Sequence, residues 1–194
     1  MNYVGISLGW NCEGASRSVD MGIRGIRANG YMTCPFDEML TNYEGLILCL
    51  KEDFKYFCDP KFLKIIPARF STGGLKEGEP LIVNTRYKFI FCHESPGCAD
   101  LYIIEKWQGG INHFICDNYK LFIERYNRRI ENFRNYLATS PVHFVIVKQD
   151  DDTSKLKNVI MEKYPKLKFN ITHLYPGVPK DLYDKHHILM DEIE

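Results

Sequence analysis

The sequence has no run of apolar residues long enough to cross a bilayer: a span needs about 18–20, and the longest runs here are short, such as Gly45 to Leu50. Its start, Met1-Asn2-Tyr3-Val4-Gly5-Ile6, lacks the basic region, apolar core and small-residue cleavage site of a secretory signal. It has no excess of either charge, with 25 basic and 25 acidic residues and a pI near 7.0. Phosphate backbones and anionic lipid call for a basic excess or a basic face, so the balance argues against nucleic-acid and membrane partners. A disulfide framework is missing too: Cys12, Cys34, Cys49, Cys58, Cys92, Cys98 and Cys116 are odd in number and irregular in spacing. Reduced thiols and a cytoplasmic location are expected. There is no internal repeat, low-complexity tract or linker.

What is present is a chain of 194 residues, 45% hydrophobic, expected to form one α/β domain over residues 1–194. Tyr3 to Leu8 reads as a short buried strand, and the segment from Glu13 to Met21 as a helix stopped by Gly22. Cys34-Pro35-Phe36-Asp37 is a constrained corner, Thr41 to Phe54 a second helix, and Gly73-Gly74 with Gly78-Glu79-Pro80 an exposed loop. Tyr87 to Cys92 is an aromatic, β-branched strand. Asp117 to Leu137 places Tyr119, Phe122, Tyr126, Ile130, Phe133 and Leu137 on one helical face. Val142 to Val147 and Lys168 to Leu174 read as strands around a helix over Thr153 to Lys163, and His187 to Met190 as a last short strand. This alternation predicts a three-layer sandwich with a mainly parallel sheet.

The chemistry-bearing segment is Ser7-Leu8-Gly9-Trp10-Asn11-Cys12, which puts a thiol where a strand turns into a helix. Free N–H groups and the helix dipole there favour thiolate, the nucleophilic form. The Cys12 N–H and the Asn11 amide are candidate oxyanion donors. The competing reading is that Cys12 is a small buried hydrophobe. A nucleophile needs a base, and His93 follows a predicted strand directly, with Glu94 or Asp37 to orient the ring. His113 is the next candidate; His143 and His173 fall inside predicted strands, and His186-His187 reads as surface.

Ser7-Leu8-Gly9 with Asn11-Cys12, then Gly22-Ile23-Arg24, Pro35-Phe36-Asp37, an aromatic strand ending in His93, and a basic helix with Arg125, Arg128, Arg129 and Phe133 together resemble the papain-like cysteine peptidase family of bacteria and large viruses. The resemblance covers about the first three-quarters of the chain. It implies Cys12 as nucleophile, His93 as base and Asp37 in support, with a papain-like α+β fold as the alternative architecture. The family pattern follows Pro-Phe-Asp with tryptophan, where this chain has Glu38.

Other readings compete. Cys92, Cys98, His113 and Cys116 have the donor types of a zinc site but loose spacing. Gly5, Gly9 and Gly14 make no phosphate-loop motif, although the first strand–helix turn, with Ser7, Gly9 and Glu94 as contacts, could hold a phosphorylated or sugar-nucleotide ligand without covalent chemistry. Arg125, Arg128, Arg129 and Arg134 read as the solvated face of their helix, balanced by Glu124 and Glu131. The aromatic residues, 13% of the chain, read as core. The leading expectation is a cysteine-dependent hydrolase or acyl-transfer enzyme acting on a peptide or small molecule without a cofactor. A catalytically silent interaction protein is the third class.

Overall fold

In a computed structural model, which describes residues 3–71 and 74–194, the chain runs β1 (Val4–Ser7), α1 (Glu13–Asp20), α2 (Tyr43–Lys51), β2 (Leu63–Pro67), β3 (Pro80–Asn84), β4 (Phe89–Phe91), α3 (Cys116–Thr139), β5 (Val142–Val147), α4 (Ser154–Lys163), β6 (Phe169–Leu174) and α5 (Lys180–Asp191). Gly73 of the predicted loop, and Met1 and Asn2, lie outside the described residues.

Two three-stranded sheets result. β1, β5 and β6 pair in parallel in the order β1-β5-β6, with Ile6 opposite Phe144 and Phe144 opposite Ile171. β5 is the central strand, and its run Val-His-Phe-Val-Ile-Val is buried at every position except the half-buried His143, the continuous apolar pattern of a strand covered on both faces. β2, β3 and β4 form an antiparallel meander. The expected α/β class is therefore present, with a parallel sheet that joins β1 to the second half, where helix and strand alternate.

The antiparallel sheet is the addition. The strand expected at Tyr87–Cys92 pairs with β3 and not with β1, and β3 opens at Pro80, inside the predicted loop. Proline is tolerated there because it is the first residue of its strand. The strand expected at His187–Met190 is the C-terminal half of α5; a four-residue apolar window does not distinguish the two periods. α2 starts later than expected because Asn42 caps it, its Oδ1 accepting the Gly45 N–H at 2.6 Å, and it stops at Lys51, ahead of Asp53 and Phe54, which take positive φ.

A single apolar cluster runs through both sheets, from Ile6 and Phe144 to Ile82, Phe89 and Phe91. Phe36, from the Cys34-Pro35-Phe36-Asp37 corner, is its hub, with ring centroids 6.0 Å from Phe89 and 6.3 Å from Phe133. Each such ring, fully buried, contributes roughly 1.5–3 kcal/mol. The aromatic content thus goes largely into packing, which locks the Pro-Phe-Asp corner between α3 and β4. A second cluster holds Trp10, Leu40, Val147 and the apolar face of α5.

Candidate active site

The turn after β1 is built by close approach. The Leu8 N–H donates to the Val145 carbonyl at 2.9 Å, prolonging the β1–β5 pairing. Gly9 then takes φ +99°, and a Cβ there would lie 1.8 Å from Thr41 Oγ1, so only glycine fits. The Gly9–Trp10 peptide is cis. Asn11 Oδ1 accepts the Glu13 N–H at 2.8 Å, an Asx turn that starts α1 with Cys12 at its N-cap. Gly14 lets α1 rest on the end of β1, since a Cβ there would meet Ser7 Oγ at 2.6 Å. Ser7 and Gly9 are accordingly buried, with the Gly9 N–H directed at Ser7 Oγ at 3.4 Å. They shape the turn from inside and present no surface to a ligand, contrary to their expected role as ligand contacts.

β4 runs directly into a 3-10 turn, Cys92–Glu94, which carries His93. One backbone segment ties this strand to the Cys12 turn: Leu40 exchanges hydrogen bonds with Ile90 (2.8 and 3.0 Å), and the next N–H, of Thr41, donates to the Trp10 carbonyl at 2.7 Å. Cys12 and His93 thus follow, by two and three residues, two positions joined to adjacent residues. Their electrostatic surroundings agree. Glu38 acts on both Cys12 and His93.

The carboxylates are arranged differently from expectation. Asp37 is buried and held within its own corner, accepting from Arg24 Nη2 (2.9 Å), the Cys34 N–H (2.7 Å) and the Tyr31 hydroxyl (3.2 Å). Burial pushes its carboxyl up to about 6, against the opposing pull of Arg24. Glu94 points into the core, where Tyr126 Oη donates to it at 2.9 Å and Arg125 Nε lies 3.0 Å away. The carboxylate that reaches the field of His93 is Glu38, which sequence reasoning noted only as a departure from the tryptophan pattern.

Glu38 and Glu94 are bound into one network by α3. Arg129 pairs with Glu38 and lies 3.7 Å from Glu94, while Arg125 Nη2 lies 3.6 Å from Glu38, and Arg27 adds a further pair to Glu38. The expectation of a solvated arginine face is corrected here: Arg129 is 4% exposed, and only Arg128 and Arg134 fit it. The signal was available, because Arg129 falls three positions from Tyr126 and four from Phe133, on the apolar stripe of the helix.

Of the seven cysteines Cys12 alone is exposed. Its thiol is nevertheless pushed up, first by partial burial of the sulfur and then by the charges of Glu38, Cys98 and Glu13, with its own backbone N–H opposing. His93 is pushed down, chiefly by burial and also by Arg129, Arg125 and Arg27, with Glu38 opposing. The expected thiolate is thus not favoured: burial of the sulfur, aided by Glu38 and Glu13, works against the pull of its backbone N–H and holds the proton on Cys12, while burial favours the neutral imidazole of His93. Cys34 and Cys49 are buried as expected of core residues.

Among the described residues no three His, Cys, Asp or Glu side chains converge on a metal position, so Cys92, Cys98, His113 and Cys116 do not assemble a zinc site. His113 Nδ1 is instead 2.7 Å from the Gln108 carbonyl. His143 and His173 bond within the parallel sheet, to Thr172 and to the Lys148 carbonyl. His186, expected at the surface, is buried against Trp10 and Phe70.

These elements define an α/β protein with an exposed cysteine at a helix N-terminus and a histidine in the turn that follows a strand of its second sheet. The chain belongs to the family described as "Putative papain-like cysteine peptidase", which matches residues 3–174. No curated protein and no solved structure matches it. No helix among the described residues is long and apolar enough to cross a membrane.

Proposed function

We propose that the protein is a cysteine-dependent hydrolase of peptide-like substrates, with Cys12 as nucleophile and His93 as general base. The observation that carries this reading is the exposed Cys12 thiol at the N-cap of α1, tied through Leu40 and Thr41 to the strand that delivers His93.

The chemistry follows from the neutral resting pair. As Cys12 Sγ attacks the substrate carbonyl carbon, His93 removes the thiol proton, so the S–C bond forms while charge moves to the carbonyl oxygen. Glu38 stabilises the imidazolium that results, which makes it the positioning carboxylate in place of Asp37 or Glu94. Among the described residues neither the Cys12 N–H nor Asn11 Nδ2 donates to a protein oxygen, and both are assigned to the oxyanion. Collapse breaks the C–N bond as His93 returns the proton to the leaving amine. Water, deprotonated by His93, then releases the acyl group and regenerates the thiol. Asp37 acts at a distance by holding the corner that presents Glu38. The free cysteines suit the reducing cytoplasm.

The test is incubation of the wild-type protein with a proteome-derived peptide pool, followed by mass spectrometry of new termini. Cys12→Ala is expected to abolish cleavage, and His93→Ala to slow it by about 10²-fold or more. Cleavage that survives Cys12→Ala would refute Cys12 as the nucleophile, and no cleavage by wild type would favour a silent interaction protein.

A further inference from the structure

The arginines that hold Glu38 and Glu94 do more than neutralise them. Arg27, Arg125, Arg128 and Arg129, with Met32, Thr33 and Asn132, line an open cleft of about 420 Å³, within the size range of small-ligand sites. Three of these guanidinium groups, of Arg27, Arg125 and Arg129, pair with the two carboxylates Glu38 and Glu94, so with Arg128 the cleft carries a local basic excess in a chain of zero formal net charge. Arg128 is exposed and has no ion pair among the described residues. The cleft is built and rigid: Arg129 is buried over the Tyr126 ring (4.9 Å), Arg125 lies over Phe114 (5.3 Å), and Asn132 Nδ2 and Arg27 Nε grip Thr33 at 3.0 and 2.8 Å. Buried Arg129 Nη1 makes no hydrogen bond and is held only by its ion pair with Glu94 at 3.7 Å.

We propose that this cleft is an anion subsite for the substrate, taking a carboxylate or phosphate group carried near the scissile bond, with Arg128 and Arg27 as its direct partners. The planar guanidinium fork matches the two oxygens of either group. The location is the right one, because Arg27, Arg125 and Arg129 all act on His93, and the Glu38 they surround also acts on Cys12. An acidic side chain or phosphoresidue docked there sets the register of the peptide over Cys12. A nucleic-acid strand is disfavoured, since the excess is confined to one cleft and a backbone needs a longer basic track. The proposal names the substrate class of the hydrolase reading and rests on it for the meaning of the cleft. Its test measures binding without turnover, so the two fail separately.

The experiment uses Cys12→Ala protein and three labelled hexapeptides that differ only in a central phosphoserine, glutamate or serine, with binding read by fluorescence anisotropy at low salt. The phosphoserine peptide, the glutamate peptide or both are expected to bind about tenfold or more tighter than the serine peptide, and which of them does so identifies the source of the anion. Adding Arg128→Ala should erase that preference at unchanged melting temperature, while Arg134→Ala, on the same helix outside the cleft, should leave it intact. Equal affinity for all three peptides, binding by none, no effect of Arg128→Ala, or tighter binding of a single-stranded oligonucleotide than of any peptide would each overturn the proposal.

Discussion

Arg129 of α3 reaches back 91 positions to pair with Glu38, the residue that follows the Pro-Phe-Asp corner. This contact joins the longest helix to the segment whose next residues bind both β4 and the Cys12 turn, so the electrostatics of the candidate site depend on helix packing.

Because Arg129 is almost fully buried, removing it strands charge in the interior. Arg129→Ala is expected to destabilise the protein by about 3 kcal/mol, read as a lower midpoint in urea unfolding. Arg134→Ala, which loses exposed contacts with the carboxylate and carbonyl of Asp53, should cost well under the buried pair, about 1 kcal/mol or less. Equal effects would mean that the buried network adds nothing.

Iodoacetamide should modify Cys12 before the other six cysteines, since it alone is exposed. The rate at pH 7 should nonetheless fall below that of an unperturbed thiol and climb with pH beyond the ordinary cysteine range, because burial and Glu38 hold the proton on. Glu38→Gln removes one of those charges and should speed alkylation several-fold at neutral pH, with circular dichroism checking the fold. A rate already at its plateau near pH 7 would contradict a neutral resting thiol.

Gly9→Ala is expected to cost roughly 1–3 kcal/mol from its positive φ alone, and more from the contact with Thr41. Calorimetric melting would show it. A melting temperature within a degree of wild type would show that the turn can relax.

α5 should loosen in acid. His186 and His187 are both pushed down by burial in a stack with Trp10, Tyr183 and Phe70, although Asp191 and Asp184 favour the charged form of His187. The unfolded helix therefore binds more protons once pH falls below about 6.5. The stabilising contribution is present above that value and is lost as pH drops through the lower, folded values. Trp10 emission, followed in a Trp107→Phe background, should shift to the red below pH 6. Constant emission down to pH 5 would place the two rings outside the titration.

The residue pattern alone located β1, α1, the Pro-Phe-Asp corner, β4, α3, β5, α4 and β6, because hydrophobic periodicity is a local property of burial on one face or two. It also singled out Cys12 and His93, each next to a predicted strand end. It did not find β2 or β3, where prolines at Pro67 and Pro80 imitate a loop, nor α5, whose apolar face is legible only against Trp10. Nor could it choose among Asp37, Glu38 and Glu94. All three carboxylates lie near candidate residues in sequence, but which one Arg24 takes, which one Tyr126 takes and which one faces His93 depends on segments up to 91 residues apart. The protonation of Cys12 is decided the same way. A helix N-terminus read from sequence favours thiolate, whereas the folded chain adds burial and Glu38, and these reverse the sign.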